Sequence, residues 1–121
     1  MSTALVVEDS LTDREMFAVY LNKSGFEVIT AESAEAAQEK ISNCQPDIII
    51  LDVILPGRSG FEICREFKTN PKTNKIPIIF CSNKGTKVDK FWGLKQGAAA
   101  YLTKPIEWEE LVSIIKQLVL S

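Results

Sequence analysis

The chain has 121 residues, 45% of them hydrophobic and 25% charged, which suits one ordinary domain with a core and lies far from the composition of disordered chains. With 14 basic and 16 acidic residues the formal charge is −2, which excludes a general nucleic-acid binder, and the lack of histidine excludes the usual catalytic triads and histidine-ligated metal centres. The N-terminus turns acidic too soon for a signal peptide, and no apolar run approaches the roughly 18 residues of a membrane span, so a cytoplasmic protein is expected.

Residues 4–7 form a short apolar, partly β-branched run that suits a strand buried on both faces, and it stops at Glu8 and Asp9. Ser10 is a plausible N-cap for a first helix with apolar Met16, Phe17, Tyr20 and Leu21 at helical spacing, which Gly25 ends. A second strand is expected over 26–30. Ser33 then caps a helix that turns Ala34, Ala37 and Ile41 inward.

After Pro46 the run Ile48, Ile49, Ile50, Leu51 is continuously apolar, as a central strand covered by helices should be, and it ends abruptly in Asp52. Pro56, Gly57 and Gly60 break the chain before a short helix carrying Phe61, Ile63, Cys64 and Phe67, and 68–75 reads as a polar loop. A fourth strand is expected over 76–81. A fourth helix follows with Val88, Phe91, Trp92 and Lys95 on one side, stopped by Gly97. Residues 98–103 give a fifth strand, ended by Pro105, and Ile106, Leu111, Ile114, Ile115, Leu118 and Val119 describe an amphipathic last helix.

Strands alternating with helices from end to end imply an α/β domain spanning 1–121, a doubly wound parallel sheet with helices on both faces. Cys44, Cys64 and Cys81 are odd in number and lack a Cys-x-x-Cys pair, so they read as reduced, buried thiols.

In such sheets ligands bind beyond the carboxyl ends of the strands. The residues that close the apolar strands here are Glu8 and Asp9, Asp52, Ser82 and Lys104, all at one edge. Three carboxylates at a low-dielectric rim repel one another, so they either raise one another's pKa or hold a cation; a hard one such as Mg²⁺ is the simpler outcome. Beside such a cation a carboxylate is a competent nucleophile toward a phosphoryl group, with Lys104 and the Ser82 hydroxyl placed to bind its oxygens.

The stretches VVEDS at 6–10, IIILDVILPGRSGFE at 48–62, FCSN at 80–83 and AYLTKP at 100–105 resemble, in order and spacing, the receiver domains of two-component response regulators, the single-domain chemotaxis type included. The resemblance covers essentially the whole chain. It implies the flavodoxin-like strand order 2-1-3-4-5, phosphorylation of Asp52, and Mg²⁺ held by Asp9, Asp52 and the backbone carbonyl of Ile54, with Glu8 acting through a water. It further implies Ser82 as the switch hydroxyl, Tyr101 as a switch aromatic that rotates inward, Lys104 as the phosphate partner, and a cis bond before Pro105. Glu8 stands where the family more often has aspartate, and Asn83 where it favours a small residue.

The implied function is that of a phosphorelay response regulator rather than an enzyme, with at most slow autodephosphorylation. The phosphoryl donor would be a histidine kinase or phosphotransfer protein, and the output a downstream signalling or motility protein, without direct nucleic-acid or membrane binding, from a monomer or weak dimer. Lys84, Lys87, Lys90, Trp92 and Trp108 are the candidate partner surface.

Alternatives are a phosphorylation-independent receiver-like module, or a receiver cut from a longer regulator. A haloacid-dehalogenase-type phosphatase needs a second aspartate two residues after the first, where this chain has Ile54. A flavin site would meet repulsion from Glu8, Asp9 and Asp13, and the dinucleotide fingerprint Gly-x-Gly-x-x-Gly is absent.

Overall fold

The computed structural model describes residues 2–120. Strands β1 (Thr3–Val7), β2 (Glu27–Ala31), β3 (Ile48–Leu51), β4 (Ile78–Ser82) and β5 (Ala100–Thr103) alternate with helices α1 (Leu11–Lys23), α2 (Ala34–Asn43), α3 (Gly60–Thr69), α4 (Lys87–Lys95) and α5 (Trp108–Leu120). The strands form one parallel sheet in the order β2-β1-β3-β4-β5, the expected flavodoxin-like topology.

Successive strand residues point to opposite faces, and this period of two divides the continuous apolar runs between two cores. Leu5, Val7, Ile49, Leu51, Ile78 and Phe80 face one way and pack with Ala34, Ala37, Ile63, Cys64 and Phe67 of α2 and α3. Ala4, Val6, Ile48, Ile50, Ile79 and Cys81 face the other and meet Phe17 and Leu21 of α1 and Leu111 and Ile115 of α5. A strand buried on both sides has no polar phase, which is why these runs read as unbroken hydrophobic stretches.

Helix starts follow the predicted capping chemistry. The Ser10 and Ser33 hydroxyls accept the Asp13 and Ala36 amides, and Thr86 and Asp89 form a reciprocal capping box at α4. Gly25 and Gly97, with φ of 94° and 107°, stop α1 and α4 as expected. The Lys104–Pro105 peptide is cis.

Several boundaries differ from the sequence reading. β2 begins and ends one residue later, at Glu27 and Ala31. α3 runs on to Thr69, so the loop is shorter than expected and is anchored by the buried Thr73, whose hydroxyl donates to the Phe67 carbonyl at 2.6 Å. β4 starts at Ile78 because the Ile76 amide is spent on a turn to Thr73 and Pro77 has no N–H to give the ladder. β5 starts at Ala100, the first residue paired with β4.

The buried helix faces are narrow. In α1 only Phe17 and Leu21 are buried, while Met16 and Tyr20 are exposed, because the stripe that meets the sheet is a single i, i+4 line. On α4, Val88, Phe91, Trp92 and Leu94 all face solvent, and Gly93 is the helix's one buried residue. Cys64 and Cys81 are buried thiols as expected, but Cys44 is exposed, since it is the C-cap of α2 and lies past the helix's last inward position.

Two close approaches fix the frame. A Cβ on Gly60 would lie 2.0 Å from the Asp52 carbonyl oxygen, so only glycine lets α3 start against the end of β3. A Cβ on Gly93 would lie 2.6 Å from the Tyr101 ring, so α4 reaches β5 through a glycine.

Gly60→Ala should lower the unfolding free energy by about 1–3 kcal/mol or more, read from the midpoint of urea denaturation, because the clash is with backbone that cannot move aside. Burial pushes the Cys64 thiol up to about 11 and raises that of Cys81 as well, so both stay protonated and shielded. Iodoacetamide at pH 8 should therefore alkylate native protein once, at Cys44, and unfolded protein at all three cysteines, as counted by mass spectrometry.

Candidate functional site

The parallel arrangement brings the ends of β1, β3, β4 and β5 to one edge of the sheet, and the chemistry sits there. Asp52 follows β3, and Glu8 follows β1, whose partner register pairs Val7 with Leu51. Both side chains are almost fully buried, at 5% and 3% exposure, and Ser82 at the end of β4 is wholly buried.

Lys104, one residue beyond β5, is the hub. Its Nζ lies 2.6 Å from Glu8 Oε1, 2.7 Å from Asp13 Oδ2 and 2.9 Å from Asp52 Oδ2. An ammonium has three N–H donors, and these three carboxylates take all of them. The Lys104 amide also donates to the Ser82 carbonyl at 2.9 Å, which ties the ends of β4 and β5 together.

The remaining oxygens are also held. Asp52 Oδ1 accepts the Ile54 amide at 3.1 Å, and Glu8 Oε2 accepts the Ser10 amide at 3.0 Å. Arg14, in the first turns of α1, donates to the carbonyls of Glu8 and Asp9 at 2.9 and 3.0 Å and so pins the β1–α1 turn.

The two buried carboxyls respond in opposite directions. Burial raises the pKa of Glu8, and the nearby negative Asp52 adds to this, more than Lys104 and the Ser10 amide lower it. Asp52 is equally subject to burial, but Lys104, the Ile54 amide and the Ser82 hydroxyl together hold it below its ordinary value. Burial alone would depress Lys104, yet its pairings with Asp13, Glu8 and Asp52 raise it. The group best kept ionised is thus the carboxylate that a nucleophilic role requires.

The expected site residues are placed unevenly. Glu8, Asp52, Ser82 and Lys104 converge. Asp9 is at the same edge, but its side chain is exposed. Ile54 is exposed and forms a lone bridge with Ser59, its amide turned to Asp52. Tyr101 is already buried, its ring against Phe80 and its hydroxyl donating to the Lys84 carbonyl, so the inward position expected only after rotation is occupied here. Burial raises its phenol to about 12.

Lys84, Lys87, Lys90 and Trp92 lie exposed on and before α4. Trp108 departs from that group. It is half-buried, stacked on Tyr20 at 4.5 Å and edge-on to Phe17 at 5.2 Å, so it faces α1 rather than α4.

Arg14 was not foreseen as part of the site, and Asp13 only as a negative charge near the end of the first strand, not as a partner of Lys104. The available signal was positional: Ser10 as N-cap places both in the first turns of a helix that starts at the acidic edge.

The anionic groups here all present oxygen, and Glu8, Asp13 and Asp52 set three negative charges against one ammonium, with Asp9 beside them. That excess suits a hard divalent cation. Among the described residues, no three histidine, cysteine or acidic side chains are gathered as a ready ligand shell, because the carboxylates close round Lys104 instead.

Comparison with known proteins places this geometry in a family. The model of the response regulator receiver domain matches residues 4–116. The phosphate regulon transcriptional regulatory protein PhoB of Pseudomonas aeruginosa is 43% identical over 114 residues, which are 94% of this chain and 50% of that protein. Protein PilH of the same organism is 38% identical over 120 residues, covering 95% of both. The chain therefore spans about half the length of the phosphate regulators it matches and nearly all of PilH. The Vibrio cholerae chemotaxis protein CheY4 superposes with a TM-score of 0.90 at 30% identity over 98% of each chain. Among the described residues, no helix is long and apolar enough to cross a membrane.

Lys104→Met should cost about 3–5 kcal/mol at pH 7, since it leaves two buried carboxylates unpaired. Lys104 favours the ionised form of both carboxyls, so the stability its pairing contributes is lost as pH falls through their folded values, the raised one of Glu8 first and the lowered one of Asp52 last. The gap to wild type in chemical denaturation should be large at pH 7, begin to shrink above the ordinary carboxylate range as Glu8 protonates, and close only when Asp52 does.

Proposed function

Because this chain belongs to the response regulator receiver family, whose members are phosphoryl acceptors rather than enzymes, we propose that Asp52 takes a phosphoryl group from a histidine kinase or phosphotransfer protein and that the gain changes a partner surface. The carrying observation is the buried Asp52 carboxylate, held ionised by Lys104, the Ile54 amide and the Ser82 hydroxyl. An Asp52 oxygen attacks phosphorus, the bond from phosphorus to the donor imidazole nitrogen breaks, and that nitrogen leaves with the bond's electrons. No proton need leave the acceptor.

Mg²⁺ would be held by Asp9, Asp52 and the backbone carbonyl of Ile54, with Glu8 acting through a water; when bound it offsets the repulsion between carboxylate and phosphoryl group. The chain's own residues do the rest. Lys104 turns a donor from a carboxylate to a phosphoryl oxygen, and the buried Ser82 hydroxyl donates to another.

Output follows from how Ser82 is wired. Its oxygen accepts the Lys84 amide at 3.3 Å, and the Lys84 carbonyl accepts the Tyr101 hydroxyl. The backbone of one residue thus links the switch hydroxyl to the switch aromatic. Drawing Ser82 toward the phosphate pulls on the loop before α4, and Tyr101, packed against Gly93, passes the movement to that helix. The exposed Lys84, Lys87, Lys90 and Trp92 are the surface that changes. Output by protein contact, as in chemotaxis or surface motility, fits the likeness to CheY4 and PilH over their full lengths.

Acetyl phosphate with Mg²⁺ should add one phosphoryl mass to wild type and none to Asp52→Asn, and beryllofluoride should shift tryptophan fluorescence in wild type alone. A wild type that responds to neither is a phosphorylation-independent binding module. Lys104→Ala should still take up phosphate but lose the phosphorylation-dependent change in partner affinity, measured by titrating the partner against both forms.

A further inference from the structure

Lys104 enters the reaction with no free donor. Its ammonium has three N–H groups, and Glu8, Asp13 and Asp52 occupy them at 2.6, 2.7 and 2.9 Å. A phosphoryl oxygen arriving on Asp52 therefore gains Lys104 only if one carboxylate gives it up.

The three carboxylates are not equal candidates for release. Side-chain exposure is 3% for Glu8 and 6% for Asp52, but 34% for Asp13. Leaving Glu8 unpaired would strand a buried charge, whereas Asp13 turns to water at little cost and keeps a favourable place in the first turn of α1. Asp13 and Lys104 also line a cavity of about 140 Å³ with Met16, Phe17 and Trp108, so there is open space at their pairing.

Asp13 cannot follow the ammonium as it moves. Its amide is bound to Ser10 Oγ at 3.3 Å, and the next residue, Arg14, is fastened to the Glu8 and Asp9 carbonyls. The start of α1 is therefore anchored to the end of β1, so the backbone that carries this carboxylate stays in place while Lys104 moves.

We propose that Asp13 is a positioning residue that competes with the phosphoryl group for the Lys104 ammonium and thereby sets how readily Asp52 is loaded. This rests on Asp52 being the acceptor and deepens the account of that site. Glu8 steadies Lys104 permanently; Asp13 is the partner that yields. The pairing is partly exposed, so its restraint is moderate and weakens with salt.

The test is titration of wild type, Asp13→Asn, Asp13→Glu and Glu15→Gln with beryllofluoride and Mg²⁺, followed by tryptophan fluorescence, with the concentration dependence of acetyl phosphate labelling read by intact mass. Glu15 is exposed on the same helix and makes no ion pair with Lys104, so its substitution controls for the loss of one negative charge. Asp13→Asn should bind beryllofluoride about two- to five-fold more tightly and reach half-labelling at correspondingly lower acetyl phosphate. The gain should shrink as ionic strength rises.

Asp13→Glu restores the carboxylate and should return the affinity toward that of wild type, which a purely structural role for Asp13 would not require. Should Asp13→Asn fail to fold by circular dichroism, Asp13→Ser takes its place with the same expectation. Equal affinity in wild type and Asp13→Asn, or an equal gain in Glu15→Gln, overturns the proposal. A wild type that neither binds beryllofluoride nor labels overturns the acceptor reading first, and this one with it.

Discussion

Three carboxylates share one ammonium at the carboxyl edge of the sheet, and the rest of the site depends on that arrangement. Burying Glu8 and Asp52 without a cation would be costly, because a charge removed from water and left unpaired loses several kcal/mol of solvation. Lys104 makes their burial tolerable. It also leaves the two acids in different condition: Glu8 raised by burial beyond what its partners offset, and Asp52 held low against the same burial by Lys104, an amide and a hydroxyl. On the proposed function, one constellation thus supplies both a stable nucleophile and a positive charge that can be redirected.

The frame around it is stiff where the chemistry needs position and loose where signalling needs movement. Asp52 ends a strand buried on both faces and is backed by Gly60, where no side chain fits. Ser82 and Lys104 are joined through backbone across β4 and β5. By contrast, α4 meets the sheet through Gly93, and its apolar residues Val88, Phe91, Trp92 and Leu94 face solvent. A helix with so little buried anchorage is the element a small local displacement can shift most easily. The Lys84 backbone, its N–H bonded to Ser82 and its carbonyl to Tyr101, lies between the two regimes.

Much of this was legible in the sequence because it follows from local periodicity and from chain order. Unbroken apolar runs at 4–7 and 48–51 can only be strands covered on both faces, and alternation with helices forces them parallel. Parallel strands all end at one edge, so the residues that close them, Glu8, Asp52, Ser82 and Lys104, had to meet. The Ser10 and Ser33 caps and the Gly25 and Gly97 stops are likewise chemistry confined to a single turn of chain.

What only the tertiary structure decided depends on direction and on distance between elements. Helical spacing marks a stripe but neither its width nor its direction, so it could not tell that the sheet leaves Met16, Tyr20 and the apolar side of α4 exposed. Trp108 looked like surface until Tyr20 and Phe17 proved to be its neighbours, and Cys44 looked buried by residue type although it caps a helix end. Asp13 is the decisive case. In sequence it is one more acid in a helix's first turn; its pairing with a lysine 91 residues away exists only because β1 and β5 end at the same rim and α1 begins there. Sequence by itself therefore determined which groups could do the chemistry, through residue type and strand order, while the fold decided which of them share the single ammonium, because that is set by side-chain reach across elements and not by anything local to the chain.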